Sequence, residues 1–184
     1  ILPYSFHLKA VVSQAKLFKN YIPTDIEHEI TVCMGLFGHD SIEDARLTYN
    51  DICNLRLRFE DNTGRKLDID DIDRINKIAA DIIFGCTESA GRNRKERHDD
   101  AYYNRLLNNK FAVFVKLCDL IANIKYSILE NSSMYDTYQV EWKHSFRPKL
   151  ENTYTSDDNP ILYSVLYSDM IIHIDSLVSI NCQL

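Results

Sequence analysis

Turns are what this 184-residue chain has little material for, since it holds only five glycines and four prolines. A β-rich fold places such residues at many tight turns, so their scarcity counts against a sandwich or a barrel. Long stretches instead carry apolar residues at helical rather than alternating spacing, and the expected class is all-α. Basic residues are in the minority, 21 Lys and Arg against 27 Asp and Glu, giving a formal charge of −6 and a pI of about 5.5. General nucleic-acid binding draws its affinity from a basic surface that neutralises phosphates, so it is not expected here. No apolar run reaches membrane-spanning length and no basic-then-apolar leader is present, which sets aside a membrane protein and points to the cytoplasm. The cysteines are odd in number, and three of them, Cys33, Cys86 and Cys118, lie in apolar runs. That suits reduced thiols packed as small hydrophobes better than a disulfide scaffold. With 45% apolar and 11% aromatic residues, the chain is long enough for one domain, residues 1–184, with a substantial core.

Four polar residues stand out inside stretches that otherwise look buried: His7, the adjacent His39 and Asp40, and Asp119. An unpaired buried polar or charged group is costly, so something inside the fold must satisfy them. A divalent cation would satisfy all four, and two imidazoles with two carboxylates suit a first-row ion such as manganese or iron while leaving positions for water and a substrate oxygen.

Helical spacing places these residues. Leu8, Val11, Val12, Ala15 and Phe18 mark a first amphipathic helix with His7 at its start, ended by Tyr21-Ile22-Pro23. Thr24 or Asp25 can cap a second helix through Ile26, Ile30, Cys33, Met34 and Phe37, whose end delivers Gly38-His39-Asp40. A short helix starts at Thr48, residues 59–71 read as a polar loop, and Asp70-Asp71 opens a helix through Ile72, Ile75, Ile78, Ala79 and Ile82. From Phe111 to Leu129 the chain is apolar on most helix faces, except that Lys116, Asp119, Asn123 and Ser127 form one polar stripe that should face a functional cavity. On spacing alone, Asp119 could equally be a buried acid paired with Lys116. Tyr135, Tyr138, Trp142 and Phe146 recur at helical spacing and read as core, and Asn159-Pro160 caps a last helix through Leu162, Val165, Leu166, Met170, Ile174 and Leu177. His28, His98, His144 and His173 have no motif around them and are expected on surfaces or helix ends.

Three stretches carry more than their ligands: Pro3-Tyr4-Ser5-Phe6-His7-Leu8-Lys9-Ala10-Val11, Gly38-His39-Asp40-Ser41-Ile42-Glu43-Asp44, and Val115-Lys116-Leu117-Cys118-Asp119-Leu120-Ile121-Ala122-Asn123. In this order they resemble the motifs of the HD-superfamily metal-dependent phosphohydrolases, in the branch of the small alarmone hydrolases and the hydrolase domain of the Rel/SpoT enzymes. The resemblance implies an HD-domain helical bundle with a divalent cation, manganese by expectation, on His7, His39, Asp40 and Asp119. It implies that Glu43 and Asp44 orient or deprotonate the attacking water, and that the 3′-pyrophosphate of a guanosine tetra- or pentaphosphate is removed. It also places Asn123 near the substrate, and Lys116 on the same stripe is a further expected substrate contact. The chain starts inside the first motif, so the family's preceding helix and basic glycine-containing loop are expected to be missing from it.

The one basic cluster is Gly91-Arg92-Asn93-Arg94-Lys95-Glu96-Arg97-His98. A charge run by itself is usually a solvated surface. In the resembled family this segment lies beside the site, and an acidic protein with a polyanionic substrate needs such a patch, so Arg92, Arg94, Lys95 and Arg97 are the expected phosphate contacts. Two other functions stay open on the sequence: a phosphatase for another phosphorylated nucleotide, such as NADPH or a nucleoside monophosphate, and a metal-binding regulatory or partner-binding HD protein without turnover.

Overall fold

The computed structural model describes residues 4–55, 68–155 and 161–180. The described residues form an all-α bundle, apart from a two-residue antiparallel pairing of Tyr154 and Thr155 with Leu162 and Ile161. Most of the expected polar loop at 59–71 falls outside the described residues.

Local chemistry sets the helix ends. Helix α1, Tyr4–Leu17, runs into a 3₁₀ turn at Lys19–Tyr21, and Ile22 is extended, as the residue before Pro23 must be to avoid the proline ring. Asp25 caps α2, Ile26–Gly38, by accepting from the His28 N–H at 3.0 Å. Thr48 and Asp51 cap α3, Tyr49–Cys53, reciprocally. Asp68 caps α4, Ile69–Cys86, whose first turn carries Asp70 and Asp71 where the helix dipole favours anions. The four-residue α5, Arg94–Arg97, and α6, Asp100–Leu107, lead to α7, Lys110–Leu129, where the Asn109 side chain accepts from the N–H groups of Phe111 and Ala112.

Helix α7 is the axis of the core. Thirteen of its twenty residues are buried, and α1, α2, α4, α6 and α8, Met134–Glu141, all pack on it. A π-helical turn at Trp142–Phe146 joins α8 to α9, Arg147–Asn152. The chain closes with α10, Tyr163–Leu166, and α11, Ser168–Leu177, which also packs on α7.

Three details differ from the spacing-based reading. The face of α2 that packs inward carries Thr31, Val32, Gly35 and Leu36, leaving Cys33 and Phe37 exposed. Beyond Thr31 the helix is apolar on every face, so close approach chooses the face: a Cβ at Gly35 would stand 2.6 Å from Ile82 Cγ2 and 3.3 Å from Val115 Cγ2, and glycine lets α2 cross α4 and α7 there. Of the three cysteines expected in the core, therefore, Cys86 and Cys118 are buried and Cys33 is not. Lastly, the C-terminal helix is two pieces that begin at Tyr163, after the short strand that holds Leu162, and Asn159-Pro160 lies outside the described residues. Tyr163 and Tyr167 flank the break, donating to the carbonyls of Leu107 and Lys110 at 2.6 and 2.7 Å, which satisfies acceptors where α6 meets α7.

Candidate metal centre

Helix α2 stops where the site begins. A Cβ at Gly38 would meet Ile83 Cδ1 at 2.7 Å, so α2 can lie close to α4 at its very end. The chain then coils through successive turns, with Ser41 N–H on the Gly38 carbonyl and Asp44 N–H on the Asp40 carbonyl, both at 2.8 Å. His39 turns inward and is almost fully buried. Its Nδ1–H donates to the Leu36 carbonyl at 3.1 Å, which satisfies a helix-end acceptor and leaves Nε2 with its lone pair toward the interior.

Around that nitrogen the sequence-expected ligands converge. His7 Nε2, from α1, lies 3.3 Å from His39 Nε2. Asp40 Oδ2 lies 3.1 Å from His39 Nε2 and 3.9 Å from His7 Nε2. Asp119 Oδ1, from α7, lies 3.3 Å from His7 Nε2 and 3.5 Å from His39 Nε2. His7, His39 and Asp40 place their donor atoms within 4.8 Å of one another, and Asp119 adjoins both imidazoles. With metal–ligand bonds of roughly 2.0–2.2 Å, neighbouring donors stand about 3.0 Å apart in an octahedron and about 3.4 Å apart in a tetrahedron, so these separations fit a first-row divalent cation.

The residues around these donors steer them. Tyr4 donates to Asp40 Oδ2 at 2.9 Å, and Asn123 Nδ2 donates to Asp119 Oδ1 at 2.7 Å. The second oxygen of Asp119 faces Lys116 Nζ at 3.0 Å, so the acid makes the Lys116 pair and still turns one oxygen to the imidazoles. Burial pulls the Lys116 pKa down, but Asp119 outweighs this and holds it well above the usual lysine value. Burial likewise opposes the Asp119 carboxylate, and Lys116 with the two imidazoles holds its pKa well below the usual range. Burial also disfavours charge on His39, yet hydrogen bonds to Asp119 and Asp40 outweigh it and bring its pKa up to about 10. Without a cation, then, the cluster recruits a proton to offset its carboxylates, which is the electrostatic demand a metal ion meets.

These donors open onto a cleft of about 340 Å³ that is also lined by Glu43, Asp44, Glu88, Arg94, Arg97, Lys116 and Asn123. Glu43 Oε1 accepts the Glu88 N–H at 2.7 Å. Glu43 is exposed overall, and partial desolvation of its carboxyl in the cleft is the main cause of its raised pKa, with the Glu88 N–H pulling the other way. Asp44 sits at the exposed rim.

The basic cluster divides. Arg94 and Arg97 line the cleft, whereas Arg92 points to solvent with its side chain 91% exposed and paired to Glu96, and Lys95 is exposed. Arg94 pairs with Glu141 at 2.9 Å and lies over the Tyr138 ring. Arg97 Nε lies 3.0 Å from Glu88 Oε2, buried against that carboxylate.

Three residues were missed in the sequence. Glu88 and Glu141 supply the carboxylates behind the two arginines. His98, expected to be an unremarkable surface or helix-end residue, caps α5 but keeps its side chain only 8% exposed between those two carboxylates. Of the other unassigned histidines, His28 lies at a helix start and His144 is exposed, as expected, whereas His173 lies within α11, half-buried beside the Phe18 ring. No helix among the described residues is long and apolar enough to cross a membrane. No protein family, curated protein or solved structure matches this chain.

Proposed function

We propose that this cleft is the catalytic site of a divalent-metal-dependent phosphohydrolase of the HD type, with a phosphorylated nucleotide as substrate and the 3′-pyrophosphate of a guanosine tetra- or pentaphosphate as the group released. One observation carries the reading: His7, His39, Asp40 and Asp119, drawn from distant parts of the chain, meet beside Arg94, Arg97 and Lys116 in a single cleft. Fixed cations next to a site for a divalent ion suit a phosphoryl group, whose oxygens need charge neutralised on more than one side.

A bound cation, manganese by expectation, supplies Lewis acidity, polarising a phosphoryl oxygen and lowering the pKa of water from about 16 toward about 7. The residues of the chain do the remainder. Glu43 takes the proton of the attacking water, and its raised carboxyl pKa brings it closer to the working pH of a general base. Asp44, at the rim, orients that water. Arg97 and Arg94, which line the cleft, hold the outer phosphate oxygens, while Lys116 offsets charge from beneath. Asn123 keeps Asp119 Oδ1 turned toward the two imidazoles.

A second reading has its own support. Each cation of the cleft already faces a carboxylate, Lys116 with Asp119, Arg94 with Glu141 and Arg97 with Glu88. That balance favours a substrate with fewer phosphates, as in a phosphatase for a nucleoside monophosphate or NADPH. A manganese-supplemented panel of nucleotides, assayed separately for phosphate and pyrophosphate, tests both. Pyrophosphate release from a guanosine tetra- or pentaphosphate supports the first reading, and phosphate release alone the second. Metal retention with release of neither from any nucleotide removes the enzymatic reading and leaves a metal-binding regulatory protein.

A further inference from the structure

Behind the cleft lies a set of paired charges that the proposed chemistry does not use. His98 Nε2 is 2.7 Å from Glu88 Oε1, and His98 Nδ1 contacts Glu141 Oε1. Tyr102 stacks on the imidazole face at a centroid distance of 4.8 Å and an angle of 17°, and Tyr103 meets it edge-on at 6.1 Å. Both ring nitrogens therefore face carboxylates, and one face of the ring is covered. A histidine held this way has no free nitrogen with which to exchange a proton with a substrate.

Its two partners belong to different parts of the fold, Glu88 just after α4 and Glu141 at the end of α8. Each stands behind one arginine of the cleft: Glu88 Oε2 is 3.0 Å from Arg97 Nε, and Glu141 Oε2 is 2.9 Å from Arg94. Glu88 also reaches the site through its backbone, since its N–H donates to Glu43 Oε1 at 2.7 Å. One imidazole thus ties together the supports of both arginines and of the carboxylate assigned to water activation.

We infer that His98 is a positioning residue: by gripping Glu88 and Glu141 together it aims Arg97 and Arg94 into the cleft, and through the Glu88 segment it fixes the reach of Glu43. The inference rests on the reading that the cleft hydrolyses a phosphate ester, and it assigns His98 no contact with the substrate. Its two halves are separable, because a glutamine amide stands near the position of Nε2 and an asparagine amide near that of Nδ1. His98→Gln keeps a donor for Glu88 and releases Glu141. His98→Asn keeps a donor for Glu141 and releases Glu88.

The experiment compares the two variants with the wild-type protein for kcat and KM on whichever phosphorylated nucleotide is turned over, for bound metal, for melting temperature, and for the Glu88 amide proton resonance by NMR. In His98→Gln, KM rises about tenfold with kcat within twofold, as Arg94 loses its aligned support. In His98→Asn, kcat also falls about tenfold and the Glu88 amide resonance moves, whereas it stays in place in His98→Gln. Metal content is unchanged in both. The inference is overturned if both variants keep kcat and KM within twofold, or if both lose them to the same extent in step with melting temperature, which is the mark of a merely structural histidine. Should the wild-type protein turn over no phosphorylated nucleotide, the functional reading fails, and the NMR comparison decides the inference alone: an unmoved Glu88 resonance in His98→Asn overturns it.

Discussion

Replacing Asp119 with alanine is the sharpest perturbation available, because that carboxylate has two jobs that can be pulled apart. One oxygen faces Lys116 at 3.0 Å and the other faces the imidazoles of His7 and His39 at 3.3 and 3.5 Å. The Asp119 side chain is 6% exposed and that of Lys116 is 14% exposed, so solvent offers little relief to the lysine once its partner is gone. Removing one member of a buried pair typically costs roughly 3–5 kcal/mol, because the other charge is left uncompensated. In a domain of this size each kcal/mol lowers the melting temperature by about 2–4 °C, so metal-free Asp119→Ala should melt roughly 6–20 °C below the wild type. It should also hold no divalent cation. The two effects separate in the double variant Lys116→Met/Asp119→Leu, which replaces the pair by apolar groups and should regain most of the lost stability while still failing to bind metal. Thermal denaturation beside calorimetric titration with manganese measures both. Stoichiometric, tight metal binding by either variant would refute the assignment of Asp119 as a ligand and reduce it to the counter-ion of Lys116.

Glu43→Gln should retain its metal and lose turnover by roughly 10²-fold, the scale of a missing general base, and metal content measured beside rate distinguishes it from a ligand variant. Arg94→Ala and Arg97→Ala should each raise KM about tenfold, whereas Arg92→Ala and Lys95→Ala should leave it within about twofold, a contrast read directly from steady-state kinetics. The pH dependence has a defined sign. In the metal-free protein the His39 pKa stands at about 10, above the 6.5 of an unperturbed imidazole, so its contribution to stability is complete below about pH 6.5 and is lost as pH rises through 10. A cation competes with that proton, so manganese affinity should rise over the same interval with release of a proton on binding. Titration calorimetry in buffers of different ionisation enthalpy checks the proton count, and an affinity that is flat from pH 6.5 to 9 would contradict it.

How far the sequence alone carries depends on the range of the interaction. The all-α class, the cap at Asp25, the polar stripe of α7 and the delivery of His39 by the end of α2 are local, and spacing reveals them. The buried face of α2 is not local, since its second half is apolar on every face and the choice falls to Ile82 and Val115 packing against Gly35. The division of the basic cluster was partly legible. Arg94 and Arg97, three apart, share a face of their short helix that Lys95 does not, and Arg92 stands four residues before Glu96, a spacing at which opposite charges pair. His98 was beyond reach, because its role depends on Glu141, forty-three residues later, and on the stacked Tyr102 ring that closes around it.

The π-helical turn at Trp142–Phe146 settles a mismatch of phase. Tyr138, Trp142, Phe146 and Leu150 are each four residues apart, and the last three are buried. An α-helix advances about 100° per residue, so each step of four overshoots a full turn by roughly 40°, and three such steps would carry Leu150 about a third of the way round the axis from Tyr138. The wider turn takes up part of that excess, which keeps the row in the core and leaves Arg147 where its Nε meets Asp175 at 3.0 Å. Seen this way the turn behaves as a single inserted residue. Excising one residue from within it would restore an even α-helical pitch and swing everything downstream by about 100°, turning Leu150 out of the core and Arg147 away from Asp175.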